Sequence, residues 1–487
     1  MSEHGIMMSY NADGCLEYDD GSYPSGKAPA PGPYLVIDDN LVKELNQNFY
    51  SDPKNILAQN VCTRHDPLEL AISRRKVSEI NNVFTHKVEV EGKPVTNQKN
   101  SGQCWLYACL NAIRIPFMNA FNLTEFEFSQ AHLFFWDKVE RSNHFLHSII
   151  QTANYPIDDR TVCFLLSDPI NDGGQWDMMV NLITKYGLMP KKCFPESFSA
   201  ECSVRMNNIL KSKLREYAKE IRQAAAQGAD KPSLQQLLNR QMTTIHRIVG
   251  ICLGVPPTTF TWEYYQNKNT YASLGPITPL EFYEQHVRSL FDVKEKVCLV
   301  TDPRDTNPYN QLYKVRFLNN VVGGKPVLYN NQPIEILEQA VAESIKQGEA
   351  VWFGCEVLKR FALKLGVSDL DVHDYEVLLG TDVSLPLTRE ERILYHDSAM
   401  THAMVITGVS LDSEGRPTKW RVQNSWGEDR CDKGYITMSA EWFRQYVFEV
   451  TIDKKYLSAE VLAVYEKTPR VLPPWDPMGV LTQGKAN

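Results

Sequence analysis

The stretch Asn97–Arg114, NQKNSGQCWLYACLNAIR, places a cysteine between a small polar loop and an apolar run. From Leu106 onward the apolar residues recur at helical spacing, which predicts a helix that begins at about Cys104 and ends near Pro116. Cys109 lies on the apolar face of this helix and is predicted to be an ordinary core residue. Cys104 lies in the first turn instead. There, unpaired backbone N–H groups and the helix dipole favour the thiolate, the form of cysteine that attacks carbonyl carbons.

The composition is that of an ordinary globular protein without a membrane or nucleic-acid partner. A length of 487 residues predicts two or more structural units. The formal net charge of −8 argues against a general nucleic-acid-binding surface, which is basic. The longest apolar runs are too short to span a bilayer, and the first residues, MSEHGIMMSYNADG, lack the apolar core of a secretory signal. The eleven cysteines follow no disulfide or zinc-binding spacing, which favours a reducing cytosol.

The chain divides into five parts by composition and by predicted element type. Its beginning is rich in Gly, Pro and Ser, and a later run of Glu, Lys, Arg, Ala and Leu without Gly or Pro predicts a helical block. Because helices come first and strands later, with the helical block between them, we expect an α+β fold. The parts are a flexible extension at 1–33, N-terminal helices and a helical half with the nucleophile at 34–199, a mainly helical insertion and candidate oligomerisation region at 200–345, a β-rich half at 346–465, and a C-terminal tail at 466–487.

Individual elements follow from capping residues and periodicity. Asp38 or Asp39 can cap a helix that carries apolar residues at helical spacing as far as Phe49, and a second helix is predicted over 66–82. The breaker-free runs predict helices within 200–228 and 233–249. Runs of β-branched and aromatic residues predict strands at 350–357, 403–410, 419–426 and 434–439.

A nucleophilic cysteine needs a base that accepts its proton and a third group that orients the base. His402 stands immediately before the predicted strand 403–410, which would hold its ring rigidly. Asn424 lies inside the next predicted strand, 22 residues later, and a hairpin can set two such side chains side by side. Trp426 is placed to cover that pair from water. The pattern alone leaves a Cys–His–Asn site as one hypothesis among others.

Four longer motifs carry a resemblance to a known family. They are NQKNSGQCWLYACLNAIR, DGGQWDMMVNLITKYGLMPKKCFPES, THAMVITGV and VQNSWGEDRCDKGYITM, and they resemble the papain-like cysteine peptidases, most closely the cytosolic branch. The likeness extends from about Leu41 to Gly479. It implies a papain-like α+β fold with a helical half, a β-barrel-like half and a large helical insertion. Ser101 stands where secreted relatives carry a disulfide cysteine, which suits a reducing compartment.

The resemblance implies roles for four residues. Cys104 would be the nucleophile, and His402 the general base and acid. Asn424 would accept a hydrogen bond from the His402 ring and fix its orientation. Gln98, six residues before Cys104, would donate from its side chain to the oxyanion, together with the Cys104 backbone N–H.

The resemblance also implies substrate-binding residues. Gly173 and Gly174 precede a predicted helix, and two adjacent glycines ordinarily indicate only a turn. In the family this loop lines the cleft, where a missing Cβ lets the substrate backbone approach in extended form. The family's chain end lies along the cleft, so the carboxylate of Asn487 would bind the free amine of the substrate. Val480–Asn487 is longer than the family leads us to expect, so either the cleft accommodates the extra residues or the enzyme trims its own end.

The expected function is that of a cytosolic cysteine aminopeptidase, which hydrolyses N-terminal residues of peptides and related amides through an acyl-enzyme. The resemblance implies a homohexamer whose active sites face an inner channel, and it implies no metal ion or organic cofactor. Two alternatives stay open: a catalytically inactive scaffold on the same fold, and another Cys–His acyl-transfer enzyme, such as an acyltransferase or a ubiquitin-removing peptidase. The acidic balance disfavours a nucleic-acid-binding role beside the peptidase.

Overall fold

The computed structural model describes residues 9–10, 16–17 and 37–480, in two compact units, Met1–Arg64 and His65–Asn487. In the first unit, strand β1 pairs antiparallel with β2, and two helices follow. Asp38 caps the first helix by accepting a hydrogen bond from the backbone N–H of Leu41 at 2.8 Å, as predicted. Most of the predicted flexible extension at 1–33 lies outside the described residues. The elements are β1 Ser9–Tyr10, β2 Leu16–Glu17, α1 Asp39–Ser51 and α2 Pro53–Cys62.

The second unit combines long helices with one large mixed sheet. Its α-helices are α3 Pro67–Leu70, α4 Arg74–Glu79, α5 Cys104–Ala120, α6 Gln130–Gln151, α7 Arg160–Ser167, α8 Trp176–Tyr186, α9 Phe198–Glu201, α10 Val204–Ala226, α11 Lys231–Leu253, α12 Pro279–Phe282, α13 Ile334–Lys346, α14 Tyr375–Leu379, α15 Arg389–Leu394, α16 Ala440–Tyr446 and α17 Ala459–Ala463. Its strands are β3 His86–Lys87, β4 Phe260–Gln266, β5 Thr270–Ile277, β6 Lys296–Val300, β7 Gln311–Val315, β8 Tyr329–Asn331, β9 Val351–Cys355, β10 Phe361–Ala362, β11 Val367–Ser368, β12 His402–Leu411, β13 Pro417–Gln423, β14 Tyr435–Ser439, β15 Val447–Asp453 and β16 Arg470–Leu472. In the described ranges, no helix combines the length and the apolar character needed to cross a membrane.

The sheet runs in the order β10-β11-β14-β13-β12-β9-β15-β6-β8-β7-β16, with β3 added to β12, while β4 and β5 form a separate hairpin. Most neighbours are antiparallel; β11–β14, β6–β8 and β7–β16 are parallel. Strand β12 lies near the middle and is almost entirely buried. Its side chains alternate between two cores, as the pleat of a strand requires. Ala403 and Val405 join the core formed with α5, whereas Met404 and Ile406 join the core formed with α13.

Helix α5 is buried along nearly its whole length and packs against β12. It begins at Cys104, as predicted, but the predicted end near Pro116 is wrong, because the helix continues to Ala120. Proline removes one helical hydrogen bond, yet Phe117 and Met118 beyond it are 0% and 1% exposed. Burial of these two side chains outweighs the lost bond and keeps the last turn helical.

Other boundaries differ from the sequence prediction in smaller ways. The four predicted strands are confirmed as β9, β12, β13 and β14, although Asn424 follows β13 rather than lying inside it. The single helix predicted over 66–82 is wrong, because two short helices, α3 and α4, occupy that stretch. The region 200–345 contains the predicted helices as α10 and α11, and it also supplies the β4–β5 hairpin and three strands of the large sheet, β6, β7 and β8, which the sequence analysis did not predict.

Candidate active site

Cys104 is the first residue of α5, so its own backbone N–H stands at the positive end of the helix dipole. The preceding residue, Gln103, makes no side-chain capping bond to the first turn. Cys109 is five residues further along the same helix, inside the core, and burial raises the pKa of its thiol well above the ordinary value. Both cysteines are 0% exposed, so position on the helix distinguishes them rather than burial. Cys109 is confirmed as a core residue.

His402 is the first residue of β12, the strand against which α5 packs. In the sheet it stands opposite Cys355 of β9. Burial raises the pKa of the Cys355 thiol well above its ordinary value, and the nearby Cys104 raises it further. Cys104 and the first residue of β12 therefore both lie close to Cys355. The structure thus brings together two residues that are almost 300 positions apart in the chain.

The ring of His402 is held by Asn424. His402 Nε2 lies 2.8 Å from Asn424 Oδ1, and the same oxygen accepts the backbone N–H of Ser425 at 2.8 Å. Because an oxygen that accepts the Ser425 N–H must be the amide oxygen, His402 Nε2 carries the hydrogen and donates it. His402 Nδ1 has no hydrogen-bond partner in the described part of the chain. Burial lowers the pKa of His402 to about 4, although the bond to Asn424 opposes that change.

Trp426 covers the His402–Asn424 pair. Its ring stacks on the imidazole with centroids 4.8 Å apart and planes 30° apart, and the side chain is only 4% exposed. The sequence prediction that Trp426 shields this pair from water agrees with the geometry. The shielding also explains why His402 and Asn424 are 0% and 1% exposed.

Gln98 joins the loop before α5 to the segment that carries Asn424. Its side-chain Nε2 donates to the carbonyl oxygen of Ser101 at 2.8 Å, and its Oε1 accepts the hydroxyl of Ser425 at 2.7 Å. Its backbone N–H also donates to the Ser425 carbonyl oxygen at 2.8 Å. The side chain is 1% exposed. Gln98 is therefore fixed within the site rather than being an exposed loop glutamine.

Gly173 and Gly174 form a buried loop that leads into α8. A Cβ built on Gly174 would lie 2.5 Å from the indole ring of Trp105, the second residue of α5. The missing side chain of Gly174 is therefore required by close packing against the nucleophile helix. The predicted role of the two glycines in binding substrate stays a prediction.

The last described residue of the chain lies next to this loop. Gln175, directly after Gly174, donates from its side-chain Nε2 to the carbonyl oxygen of Val480 at 2.9 Å. The predicted anchor, Asn487, lies outside the described residues.

Three residues of the site were missed in the sequence. Ser425 binds Gln98, and Trp105 packs on Gly174, while Asp172 connects several segments through its carboxylate and its carbonyl oxygen. Trp105 and Ser425 each stand directly beside a predicted catalytic residue, and this adjacency was the available signal. Asp172 stands directly before the two glycines, where an aspartate is typical of an ordinary turn.

The described residues contain no group of three or more His, Cys, Asp or Glu side chains that could hold a metal ion. The ten cysteines that the structure describes form no disulfide bond with one another.

Comparison with known proteins gives the family. The Peptidase C1-like family matches residues 36–479, nearly the whole chain. The chain belongs to this family. The matched range includes Cys104, His402 and Asn424. The papain-like α+β fold and the peptidase class predicted from the sequence are confirmed.

Curated relatives are similar over almost their whole length. Bleomycin hydrolase of Homo sapiens is 52% identical over 451 residues, which are 92% of this chain and 99% of that protein. Aminopeptidase C of Streptococcus thermophilus is 38% identical over 442 residues, 91% of this chain and 98% of that protein. Among solved structures, PepW from Lactobacillus rhamnosis HN001 has a TM-score of 0.88 at 37% identity and covers 92% of this chain and 100% of its own.

Proposed function

We propose that this chain is a cysteine aminopeptidase that hydrolyses peptides and related amides from a free N-terminus. Cys104 attacks the carbonyl carbon as a thiolate, and His402 accepts the thiol proton and delivers it to the leaving amine. The acyl group is then carried on sulfur, and water activated by His402 releases it. Membership of a peptidase family and similarity to aminopeptidase C and bleomycin hydrolase support this reaction class.

The observation that carries the proposal is the hydrogen bond between His402 and Asn424. Because Nε2–H is held by the amide oxygen, the lone pair available to accept a thiol proton is on Nδ1. Burial alone keeps this ring neutral, since it lowers the pKa of His402 to about 4. A thiolate at Cys104 would raise that pKa again, because an opposite charge nearby favours the protonated ring. The pair can therefore hold the proton on either partner.

The oxyanion of the tetrahedral intermediate needs donors placed in advance. The Cys104 backbone N–H lies at the start of α5, and the Gln98 amide is fixed by Ser101 and Ser425. These contacts support the assignment of Gln98 and Cys104 N–H as the oxyanion donors. Loss of one such donor costs about 3–4 kcal/mol of transition-state stabilisation in a well-studied case.

The test compares three forms of the full chain on aminoacyl and acetyl-aminoacyl coumarylamides. Wild type and Cys109→Ser should cleave the free-amine substrate, and Cys104→Ser should be folded but inactive. Labelling by iodoacetamide at position 104 should be fast in wild type. Equal cleavage of the acetylated substrate would contradict the aminopeptidase assignment. Activity in Cys104→Ser together with its loss in Cys109→Ser would identify Cys109, rather than Cys104, as the nucleophile.

We also propose that the C-terminal tail sets the requirement for a free amine through the carboxylate of Asn487. The bond between Gln175 and Val480 supports this, because it holds the chain beside the glycine loop seven residues before its end. Removal of Val480–Asn487 should relax the enzyme towards endopeptidase activity. If the shortened chain still demands a free N-terminus, the tail is not the determinant.

We propose that the enzyme trims this tail itself, because a chain end that is tethered near its own nucleophile would be at high effective concentration. Intact-mass measurement of wild type and Cys104→Ser should then differ by whole residues at the C-terminus. Identical masses would exclude trimming.

The proposed assembly is a homohexamer, and the proposed compartment is the cytosol. The described cysteines form no disulfide bond with one another, which supports a reducing compartment. Exposed apolar side chains at the insertion, including Ile209 and Ile251, support a contact surface there. Sedimentation and cell fractionation test these two statements.

A further inference from the structure

The carboxylate of Asp172 contacts three separate segments of the chain, one of which is the loop directly before Cys104. One oxygen accepts hydrogen bonds from Lys138 Nζ of α6 and from Asn207 Nδ2 of α10, each at 2.7 Å. The other oxygen accepts the backbone N–H of Gly102 at 3.2 Å and the hydroxyl of Ser203. Every strong acceptor position of this buried side chain is thus used by a different donor.

The backbone of Asp172 makes a further contact to the nucleophile helix. Its carbonyl oxygen accepts the indole N–H of Trp105 at 2.6 Å. Two residues later, the missing Cβ of Gly174 leaves room for the same indole ring. Asp172 therefore makes two contacts around the start of α5: its side chain binds Gly102 in the loop before the helix, and its main chain binds Trp105 in the first turn of the helix.

The charge on Asp172 is stable. Burial alone would raise the pKa of this carboxyl, but the ammonium of Lys138 and the bonds from Ser203 and Asn207 outweigh burial and hold the pKa at about 2. Lys138 is itself fully buried and also donates to the carbonyl oxygen of Asn171 at 2.7 Å. A charged acceptor makes stronger hydrogen bonds than a neutral one, so the Gly102 N–H is held by a charge-assisted bond.

The plain alternative is that Asp172 and Lys138 are only a buried ion pair that stabilises the fold. Two features go beyond that alternative. The Gly102 contact fixes the backbone two residues before Cys104, whose N–H is a proposed oxyanion donor. In addition, the sequence carries Ser101 where secreted relatives of the family carry a disulfide cysteine, so this loop has no covalent restraint at that position.

We propose that Asp172 is a positioning residue for the reaction. It fixes the Gly102–Cys104 backbone relative to the Gly173–Gly174 loop, so that the Cys104 N–H, a proposed oxyanion donor, and the loop predicted to line the cleft keep a constant relative position. The inference rests on the proposed peptidase function. Asp172 acts through the two loops that it joins rather than by touching the substrate. Ser203 and Asn207 stand at the start of α10, so the same carboxylate also ties the helical insertion to the site.

The experiment uses full-length Asp172→Asn, which keeps the shape of the side chain and removes its charge. Cleavage of an aminoacyl coumarylamide needs the oxyanion donors, whereas alkylation of Cys104 by iodoacetamide needs only the thiolate, because no oxyanion forms in that reaction. We expect kcat to fall by about tenfold to a hundredfold, somewhat less than complete removal of an oxyanion donor would cause. The alkylation rate at Cys104, followed by peptide mass, and its pH midpoint should stay within about threefold of wild type.

Two further variants separate positioning from folding. Asp172→Asn removes the carboxylate that pairs with the buried Lys138 ammonium, so Asp172→Asn/Lys138→Met should regain stability while kcat stays low. Glu338→Gln is the matched control, since Glu338 is also a buried carboxylate, 4% exposed, paired with Arg444 of α16 at 2.9 Å. It should lose stability without a change in kcat per folded molecule.

The outcomes are distinguishable. A kcat of Asp172→Asn within about twofold of wild type would overturn the proposal, as would parallel losses of kcat and alkylation that match the loss of folded protein. Recovery of kcat in the double variant would also overturn it, because the defect would then belong to the unpaired lysine. If wild type itself labels at Cys104 but cleaves no aminoacyl substrate, the proposed function fails instead.

Discussion

The two nitrogens of the His402 ring have different surroundings, and they therefore have different roles: one orients the ring and the other exchanges the proton. Nε2 is committed to Asn424, and Nδ1 is left for proton exchange. Asn424 in turn is oriented by the Ser425 N–H, so the amide cannot rotate without losing a second bond. The orientation of the imidazole therefore depends on a chain of two hydrogen bonds under the cover of Trp426.

Asn424→Ala should therefore lower kcat more than it raises KM, because ring orientation matters most when the proton moves. We expect a loss of about tenfold to a hundredfold in kcat, since stacking of Trp426 still restrains the ring. His402→Ala should be more severe, because packing cannot replace a base. Steady-state kinetics on an aminoacyl coumarylamide measure both constants. An effect confined to KM would mean that Asn424 binds substrate.

At the residue scale, the sequence was sufficient to predict that His402 and Asn424 lie side by side, but it was insufficient to identify the buried carboxylate of Asp172. His402 and Asn424 could be paired because a hairpin places them side by side and the family motifs surround them. Asp172 could not be found in the same way. Its partners Lys138 and Asn207 are more than thirty positions away on either side, and no periodicity connects them.

At the element scale, the glycine loop and helix α5 behave as one packed unit. Gly174→Ala places a Cβ 2.5 Å from the Trp105 indole, well inside van der Waals contact. Because the ring is 0% exposed and bound to the Asp172 carbonyl oxygen, it cannot turn away freely. We expect a loss of about 1–3 kcal/mol in the free energy of unfolding, the usual cost of overpacking, together with reduced activity.

The measurement is urea unfolding of Gly174→Ala, Trp105→Leu and the double variant. Leucine at position 105 is smaller than tryptophan and leaves room for the new methyl group at position 174. The double variant should therefore be less destabilised than the sum of the two single changes. Strict additivity would contradict the proposed clash.

Local pattern predicted the long elements and missed the short ones. Strand β12 was found because its β-branched and apolar run is long, and helix α11 because the run 233–249 contains no Gly or Pro. Strands β6, β7 and β8 were missed because they are three to five residues long and lie in a region dominated by helical composition. The continuation of α5 beyond Pro116 depends on tertiary burial, which no local signal contains.

At the scale of the whole molecule, buried neutral histidines make stability depend on pH. His132, on α6, is 2% exposed, and its Nε2–H donates to the carbonyl oxygen of Tyr186 at 3.0 Å. Burial lowers its pKa from 6.5 to about 4, although bonds to the backbone of Tyr186 and Gly187 oppose this. The unfolded chain therefore takes up a proton before the folded protein does as pH falls. The contribution of neutral His132 to the free energy of unfolding is fully present above about pH 6.5 and is lost as the pH falls towards 4.

A pKa difference of this size corresponds to about 3 kcal/mol. His132→Gln keeps an N–H that can reach the same carbonyl oxygen and removes the titration. Urea unfolding between about pH 7 and pH 4.5 should therefore show a shallower loss of stability in His132→Gln than in wild type. His144 and His402, whose pKa values are also lowered to about 4 by burial, leave a residual pH dependence in the variant. Parallel curves for the two proteins would contradict the assignment.

In the proposed hexamer, the exposed surface of the insertion at 200–345 is buried against neighbouring chains and is shielded from water. Ile251, near the end of α11, is 77% exposed in the single chain, and Val255, just beyond it, is 60% exposed. Single exposed apolar residues are common, so exposure alone does not establish an interface. Val377 on α14 supplies the comparison, because it is an aliphatic side chain with the same exposure, 77%, outside the insertion.

If the insertion builds the assembly, Ile251→Asp should release smaller species on dilution, because a carboxylate buried against a neighbour loses its hydration. Val377→Asp should sediment as wild type does. Both variants should keep the labelling rate of Cys104, since neither position belongs to the candidate site. A wild-type chain that sediments as an active monomer at every concentration would refute the assembly, and equal dissociation of the two variants would refute the choice of surface.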